Sequence, residues 1–353
     1  MLPALQPSRY RALAVVLAAL AVGLACLDLL LRSALGAVPE QLSRNEYLKP
    51  EDLATLGGRV VAVENALPSQ PLAVLLGFST VREAFVPSLL EAAESSRVPH
   101  RWLNLGTSGA SFYELEYYVQ PLFRSSLRPD LIVIGMHRVW MAGRVSNPKL
   151  LHAGVGEVAS TLMHGRFGQL KPELTEWSWL AFNRNRENLA LQRALALGRE
   201  EVLLGVGLPQ DLIYPPSANP WVEERRYEGT SDQKFRGIQM SAWERFHWFE
   251  PARYRDVATE ANAALSVIRR CQRIARRVVL VYMPEGDELR GRVPADAAAA
   301  FERQVLERLD VRPSVIDLRD ALPPNAFYDH IHVNEVGRPL ASALLVKRLA
   351  ELK

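Results

Sequence analysis

Three residues from two distant parts of the sequence could together perform nucleophilic catalysis. Ser79 follows an apolar run that ends at Gly77-Phe78, whereas Asp329 and His332 lie three residues apart just before the last helical pattern. At that spacing a carboxylate can hold an imidazole in one tautomer, so that the other ring nitrogen accepts a proton from a serine. The alternatives are that Ser79 only N-caps the next helix and that the Asp-x-x-His pair is a surface hydrogen bond.

The elements that would position these residues follow an alternating α/β pattern. The apolar runs LAVLLG, HRWLNLG and DLIVIGMH predict buried parallel strands separated by helices. After residue 251 the alternation resumes with the strands VVLVYMP and SVIDL and a last helix near Asn334, which is a natural N-cap. Ligands of open parallel sheets bind outside the carboxyl ends of the strands, where the loops of Ser79 and of Asp329 and His332 converge.

The composition excludes several classes of protein. A chain of 353 residues can bury a large core, and 42 basic against 39 acidic residues give no concentrated basic face for a nucleic acid. Cys26 lies in an apolar N-terminal segment and Cys271 in the soluble part, so a disulfide between them is implausible. The histidines outside the candidate site have no metal-ligand spacing, so we expect no metal and no other cofactor.

Residues 12–31 predict a single transmembrane helix. They are apolar except for Asp28, and about 20 residues at roughly 1.5 Å each span a hydrocarbon core of about 30 Å. A cleaved signal peptide has a shorter apolar region of about 7–15 residues, so we expect an uncleaved anchor, although SALGAV could hold a cleavage site. Arg9 and Arg11 favour a cytoplasmic segment 1–11, with the rest of the chain in the periplasm or at the cell exterior.

The remaining chain divides into a connector and one large domain. We predict the connector at 32–69 and the domain at 70–353, with a helical insertion at about 139–251 where the α/β alternation breaks. Five of the seven tryptophans lie between Trp177 and Trp248, within this insertion. We expect most of them to pack its core and one or two to face the cleft, where an aromatic ring can stack on a sugar.

Three blocks of the sequence resemble the SGNH (GDSL-like) hydrolase superfamily: LLGFSTVREAF, LNLGTSGAS and DHIHVNEVG. They frame the chain from about Leu72 to the C-terminus and leave the insertion unmatched. The resemblance implies a flavodoxin-like three-layer sandwich in which Ser79 is the nucleophile, His332 the base and Asp329 the acid. Phe78 departs from the pattern, because many members carry aspartate there.

The resemblance also implies an oxyanion hole. Its second block assigns the backbone N–H of Gly106 to the oxyanion, beside the N–H of Ser79. The third block departs, because members carry Gly-x-Asn where this chain reads Gly135-Met136-His137; His137 could donate instead or be an unrelated loop residue. Arg82 is a candidate for positioning substrate, with a solvated or helix-packing role as the alternative.

An anchored domain with the motif GxSxxREAF resembles bacterial proteins that work beside membrane-bound O-acyltransferases, in alginate O-acetylation and in D-alanylation of teichoic acid. The resemblance implies transfer of an acyl group, in the first place acetyl, to an envelope polysaccharide or exopolysaccharide. The group would be carried as an ester on Ser79, and a membrane O-acyltransferase would be the partner. Two alternatives stay open: a carbohydrate esterase or deacetylase, and a non-catalytic protein that keeps the fold to bind polysaccharide or a membrane partner.

Overall fold

Five strands of the described residues form one parallel sheet in the order β2-β1-β3-β4-β5. They are β1 (Leu72–Gly77), β2 (Arg101–Gly106), β3 (Leu131–Met136), β4 (Arg277–Tyr282) and β5 (Ser314–Asp317). The predicted α/β fold with a parallel sheet is confirmed, and the strand order is the one of flavodoxin-like sheets. Every residue of β1 and β3 is buried, as expected for central strands covered on both faces.

The computed structural model describes residues 50–66, 69–95, 98–107, 112–141, 209–221, 227–231, 235–237, 239–241, 249, 258–294 and 296–352. They belong to one compact unit formed by residues 47–146 and 200–353. The predicted segments 1–11 and 12–31 lie outside the described residues. Within the described ranges, no helix has the length and apolar character needed to cross a membrane.

The described helices connect the strands and cover the sheet. They are α1 (Pro50–Ala66), α2 (Ser79–Ala84), α3 (Pro87–Ala93), α4 (Phe112–Tyr118), α5 (Gln120–Arg124), α6 (Gln210–Ile213), α7 (Ala258–Ile274), α8 (Asp287–Arg292), α9 (Ala297–Gln304) and α10 (Gly337–Glu351). Short 3₁₀ turns occupy Arg138–Met141, Leu306–Arg308 and Pro324–Ala326.

The sequence predicts one helix for each of the segments TVREAFVPSLLEAAESS and SFYELEYYVQPLFRSS, but in the structure both are broken at a proline. Pro87 stands at the start of α3, and Phe85 and Val86 before it are extended. Pro121 likewise stands in the first turn of α5, just after α4. Proline has no N–H to donate and disfavours helical backbone at the residue before it, so each segment restarts as a new helix.

Residues 50–66, in the second half of the predicted connector 32–69, form α1 and pack into the domain. The buried side chains of α1 recur at helical spacing on one face: Leu53, Leu56, Val60 and Val63. Arg59 is also buried and donates from Nη1 to the carbonyl of Asn104 at 3.3 Å. Gly57 lies so close to the ring of Tyr214 that an added Cβ would be 2.4 Å from it. Part of the predicted insertion therefore packs against α1.

Trp221 is the tryptophan of the insertion whose side chain the structure describes. Its ring lies under the guanidinium of Arg101, with 4.5 Å from Cζ to the ring centroid. Arg101 begins β2, so this tryptophan lies at the amino end of the sheet, away from the carboxyl ends where the candidate residues converge. Of the five tryptophans from Trp177 to Trp248, the other four lie outside the described residues: Trp177, Trp179, Trp243 and Trp248.

Candidate active site

The turn after β1 explains why the strand ends at a glycine followed by Phe78 and Ser79. Gly77 has φ +151°, and an added Cβ would lie 2.4 Å from Val81 Cγ2 and 3.0 Å from the Gly135 carbonyl. The backbone and the available space both require glycine there. Phe78 then turns into the core, fully buried and edge-on to the Phe112 ring at 6.3 Å.

Ser79 is the first residue of α2, and the helix-cap alternative for it is wrong. Phe78 holds the cap position, and its carbonyl accepts the N–H groups of Val81 and Arg82 at 2.9 and 3.0 Å. The Ser79 side chain is half-buried and makes its hydrogen bond elsewhere, to the ring of His332. The turn therefore presents the hydroxyl at the carboxyl end of β1.

The structure brings Ser79, His332 and Asp329 into one hydrogen-bonded chain. Ser79 Oγ lies 2.9 Å from His332 Nε2, and His332 Nδ1 lies 2.8 Å from Asp329 Oδ2. Both distances are in the range over which a base can accept the proton of a nucleophile and an acid can orient the base. With Nδ1–H donated to the carboxylate, Nε2 is left to accept the serine proton.

Asp329 is held as a carboxylate by the loop around it. Oδ1 accepts the N–H groups of Ile331 and His332 at 2.9 and 2.7 Å, and Gln239 Nε2 donates to Oδ2 at 3.2 Å. Burial raises the pKa of Asp329, but the hydrogen bonds from the ring and backbone of His332 and from the Ile331 N–H outweigh it and lower this pKa to about 2. The group that orients the imidazole is therefore negatively charged at neutral pH.

A backbone hydrogen bond closes the loop that carries Asp329 and His332. The Tyr328 N–H donates to the His332 carbonyl at 2.8 Å, so the ends of the Asp-x-x-His turn are tied together. The Asn334 side-chain oxygen accepts the N–H groups of Val336 and Gly337 at the start of α10, at 3.0 and 3.1 Å. His330 points away from Ser79, with Nε2 3.2 Å from the Arg236 carbonyl oxygen.

Gly106 does not take the position expected of an oxyanion donor. Its N–H donates to Asn104 Oδ1 at 2.8 Å, which occupies its one hydrogen. An added Cβ would lie 2.7 Å from the backbone nitrogen of Arg82, so glycine is needed here for the close approach of α2 to β2. The structure gives Gly106 a packing role in place of the expected catalytic one.

His137 lies at the same level of the sheet as Ser79. Leu76 of β1 pairs with Ile134 of β3, and Ser79 and His137 each follow three residues later. His137 is 1% exposed, and burial, partly opposed by the Glu285 carboxylate, lowers its pKa to about 4. It is therefore a neutral imidazole at pH 7, a form that carries one N–H and could donate it to an oxyanion.

The lowered pKa of His137 predicts a specific loss of stability in acid. Its pKa is 6.5 when unfolded and about 4 when folded, so the unfolded chain binds the proton first and stability falls as the pH drops from about 6.5 towards 4. Between pH 7 and 4.5 we expect the free energy of unfolding to fall by about 2 kcal/mol through this group. Denaturant unfolding of wild type and His137→Gln at both pH values measures it, and an equal loss in the variant would contradict it.

Arg82 is buried and belongs to an ion-pair network inside the domain. Its Nε donates to Glu83 Oε1 at 3.1 Å, and Arg338 Nη2 donates to the other oxygen of Glu83 at 3.2 Å. Arg82 and Arg338 are 8% and 3% exposed. The expected substrate-positioning role of Arg82 is not supported, and the helix-packing alternative is the one that fits the structure.

Sequence reasoning missed several residues that lie near the candidate site. The Tyr227 ring stacks on the His332 ring at 4.2 Å between centroids and 20° between planes. Gln239 holds Asp329, as described above, and Arg138 and Glu285 form a buried ion pair after β3 and β4. Tyr227 and Gln239 lie in the insertion, which no resembling block covers, so no sequence signal marked them.

No known family model matches the sequence, and no curated protein matches it either. In the portion of the chain that is described, no cluster of three or more histidine, cysteine, aspartate or glutamate side chains could hold a metal ion. What the described site can do chemically therefore follows from its own geometry: an oriented base hydrogen-bonded to a half-buried serine hydroxyl.

Proposed function

We propose that the protein is a serine-dependent acyltransferase of the SGNH type that forms an ester on Ser79 and passes its acyl group to an envelope polysaccharide. The observation that carries the acyl chemistry is the hydrogen-bonded chain from Ser79 Oγ through His332 to the ionised Asp329. Ser79 follows the first β-strand, and Asp329 and His332 lie in the loop before the last helix. These positions support the proposed family, because they are those of the SGNH nucleophile and Asp-x-x-His pair.

The proposed reaction has two steps, acylation of Ser79 and transfer of the acyl group to a sugar. Ser79 Oγ attacks the acyl carbonyl carbon while its proton passes to His332 Nε2; the tetrahedral intermediate then expels the donor alcohol, which takes that proton, and leaves the acyl ester on Ser79. In the second step a sugar hydroxyl gives its proton to His332 and attacks the ester. Ser79 leaves with the proton returned by His332, and the acylated sugar departs.

The oxyanion of each intermediate needs hydrogen-bond donors. Ser79 is the first residue of α2, so its own N–H has no acceptor within the helix. The neutral ring of His137, at the same level of the sheet, is the second proposed donor. Donors of this kind contribute about 2.7–4 kcal/mol each to transition-state stabilisation in acyl transfer.

The acceptor and the partner are proposed from the resemblance and from the apolar segment 12–31. A single span would hold the site at the outer face of the cytoplasmic membrane, where a membrane-bound O-acyltransferase can deliver an acetyl donor. A freely diffusing esterase has no need of such an anchor. Asp28 lies inside that apolar segment, where an ionisable side chain is costly unless it reaches the interface or pairs with a partner.

An esterase is the second candidate, and the accessibility of Ser79 favours it. The serine side chain is half-buried, and a partly exposed hydroxyl lets water take the place of the sugar hydroxyl in the second step. A non-catalytic polysaccharide-binding partner accounts less well for an intact, mutually hydrogen-bonded Ser-His-Asp set.

The partition of the acyl group between sugar and water separates transferase from esterase. The full-length chain is given p-nitrophenyl acetate with and without a panel of envelope oligosaccharides, and acetate and acetylated sugar are both measured. We expect slow release of acetate alone and faster p-nitrophenol release with acetylated sugar when the right acceptor is present. Fast hydrolysis that no acceptor alters would support the esterase, and no turnover by wild type would contradict both.

A further inference from the structure

The ring of Tyr227 lies on the face of the catalytic base. Its centroid is 4.2 Å from that of His332 and the two planes are inclined by 20°, so the contact is a stack. His332 already uses Nδ1 on Asp329 and Nε2 on Ser79, so its in-plane bonds are complete. The Tyr227 ring then restricts the tilt of the His332 ring plane, which those two hydrogen bonds leave free.

Arg338 holds Tyr227 against the base and ties it to the nucleophile's helix. Its Nη2 donates to the Tyr227 carbonyl at 2.6 Å, while its Nε donates to the Glu83 carbonyl at 3.2 Å. Glu83 lies in α2, the helix that begins with Ser79, and Arg338 lies in the first turn of α10. One buried guanidinium thus connects the helix of the nucleophile with the residue stacked on the base.

We propose that Tyr227 is a positioning residue for His332, held by Arg338, that stabilises the imidazolium formed during the reaction. This inference rests on the proposed acyl chemistry. When His332 takes the Ser79 proton it becomes a cation, and the face of an aromatic ring within about 6 Å attracts a cation. The stack therefore stabilises the His332 imidazolium of the transition state more than the neutral imidazole of the ground state. Such an interaction raises kcat without contributing to substrate binding.

Two substitutions of Tyr227 separate this role from simple packing. Tyr227→Leu removes the aromatic face but keeps an apolar cover over His332, whereas Tyr227→Phe keeps the face. We expect Tyr227→Leu to lower kcat for p-nitrophenyl acetate by about tenfold with KM unchanged. It should slow the labelling of Ser79 by a fluorophosphonate by a similar factor, and Tyr227→Phe should react at nearly the wild-type rate.

Phe235 provides a matched control, because it is 44% exposed and touches the edge of Tyr328 at 6.2 Å without belonging to the triad. Phe235→Leu should leave both rates unchanged. A double-mutant cycle then tests Arg338. If Arg338 acts through Tyr227, Arg338→Lys and Tyr227→Leu together should cost less than the product of their separate effects.

The outcomes distinguish this inference from the proposed function. If wild type reacts at Ser79 and Tyr227→Leu reacts equally fast, the positioning role is overturned while the acyl chemistry stands. Equal losses in Tyr227→Leu and Tyr227→Phe would also overturn it, because the aromatic face would not be the cause. If wild type does not react at all, the proposed function is contradicted, and this inference, which rests on it, is contradicted as well.

Discussion

Ser79→Ala should abolish ester turnover and leave the fold intact. The side chain is half-buried and its one hydrogen bond goes to His332, so its loss creates no cavity in the core and leaves no buried charge. The reaction loses its nucleophile, and we expect kcat for p-nitrophenyl acetate to fall by about 10⁴- to 10⁶-fold. Steady-state kinetics measure the loss, and thermal unfolding of both proteins shows that the domain is still folded.

The matched control for that variant is Ser342→Ala, which removes a fully buried hydroxyl from α10. Ser342 Oγ accepts the Val86 N–H at 3.3 Å and is bonded to neither His332 nor Asp329. It should reduce stability while kcat stays within a few-fold of wild type. If Ser79→Ala retained wild-type turnover, Ser79 would not be the nucleophile.

His332→Ala and Asp329→Asn should both impair the reaction, but for different reasons. His332→Ala removes the base, and we expect a loss about as large as that of Ser79→Ala. Asp329→Asn leaves the base in place but replaces the carboxylate that accepts from Nδ1, so tautomer control is lost. We expect kcat to fall by about 10⁴-fold and a measurable residual rate to remain.

His330 is the internal control for this loop. It is one residue from Asp329 but bonds the Arg236 carbonyl and lies 3.4 Å from Glu288. His330→Gln should therefore keep most of the activity. Wild-type turnover by His332→Ala, or a greater loss in His330→Gln than in His332→Ala, would exclude the proposed triad.

The strands, and the meeting of Ser79 with His332 and Asp329, could be predicted from the sequence. The strands are marked by local apolar runs, and the three side chains by their positions at the ends of elements. An apolar run such as Leu72–Gly77 predicts a buried strand, and this strand is buried throughout. A parallel sheet brings the carboxyl ends of its strands to one edge. That is why Ser79 and His332, 253 residues apart, could be expected to meet. The breaks at Pro87 and Pro121 were missed in favour of single helices, although proline restricts its own and the preceding residue's backbone.

The rest depends on contacts that no local pattern records. Gly106 matches an oxyanion block, but its N–H donates to the side-chain oxygen of Asn104, two residues earlier in the same strand. No local pattern indicates that this side chain turns towards the backbone. Arg82 looks exposed on a helical pattern, yet it is buried and paired with Glu83. Tyr227 reaches His332 from the insertion, 105 residues earlier in the chain, and no periodicity indicates that contact.

The central claim is that Ser79 carries the acyl group, and trapping that ester tests it most directly. The full-length chain is mixed with p-nitrophenyl acetate, quenched in acid within the first turnover, and digested for peptide mass spectrometry. The account predicts one acetyl group on the peptide that contains Ser79 and none on that peptide from Ser79→Ala. Turnover without any acetylated Ser79, or an acetyl group found on another residue and retained in Ser79→Ala, would contradict it.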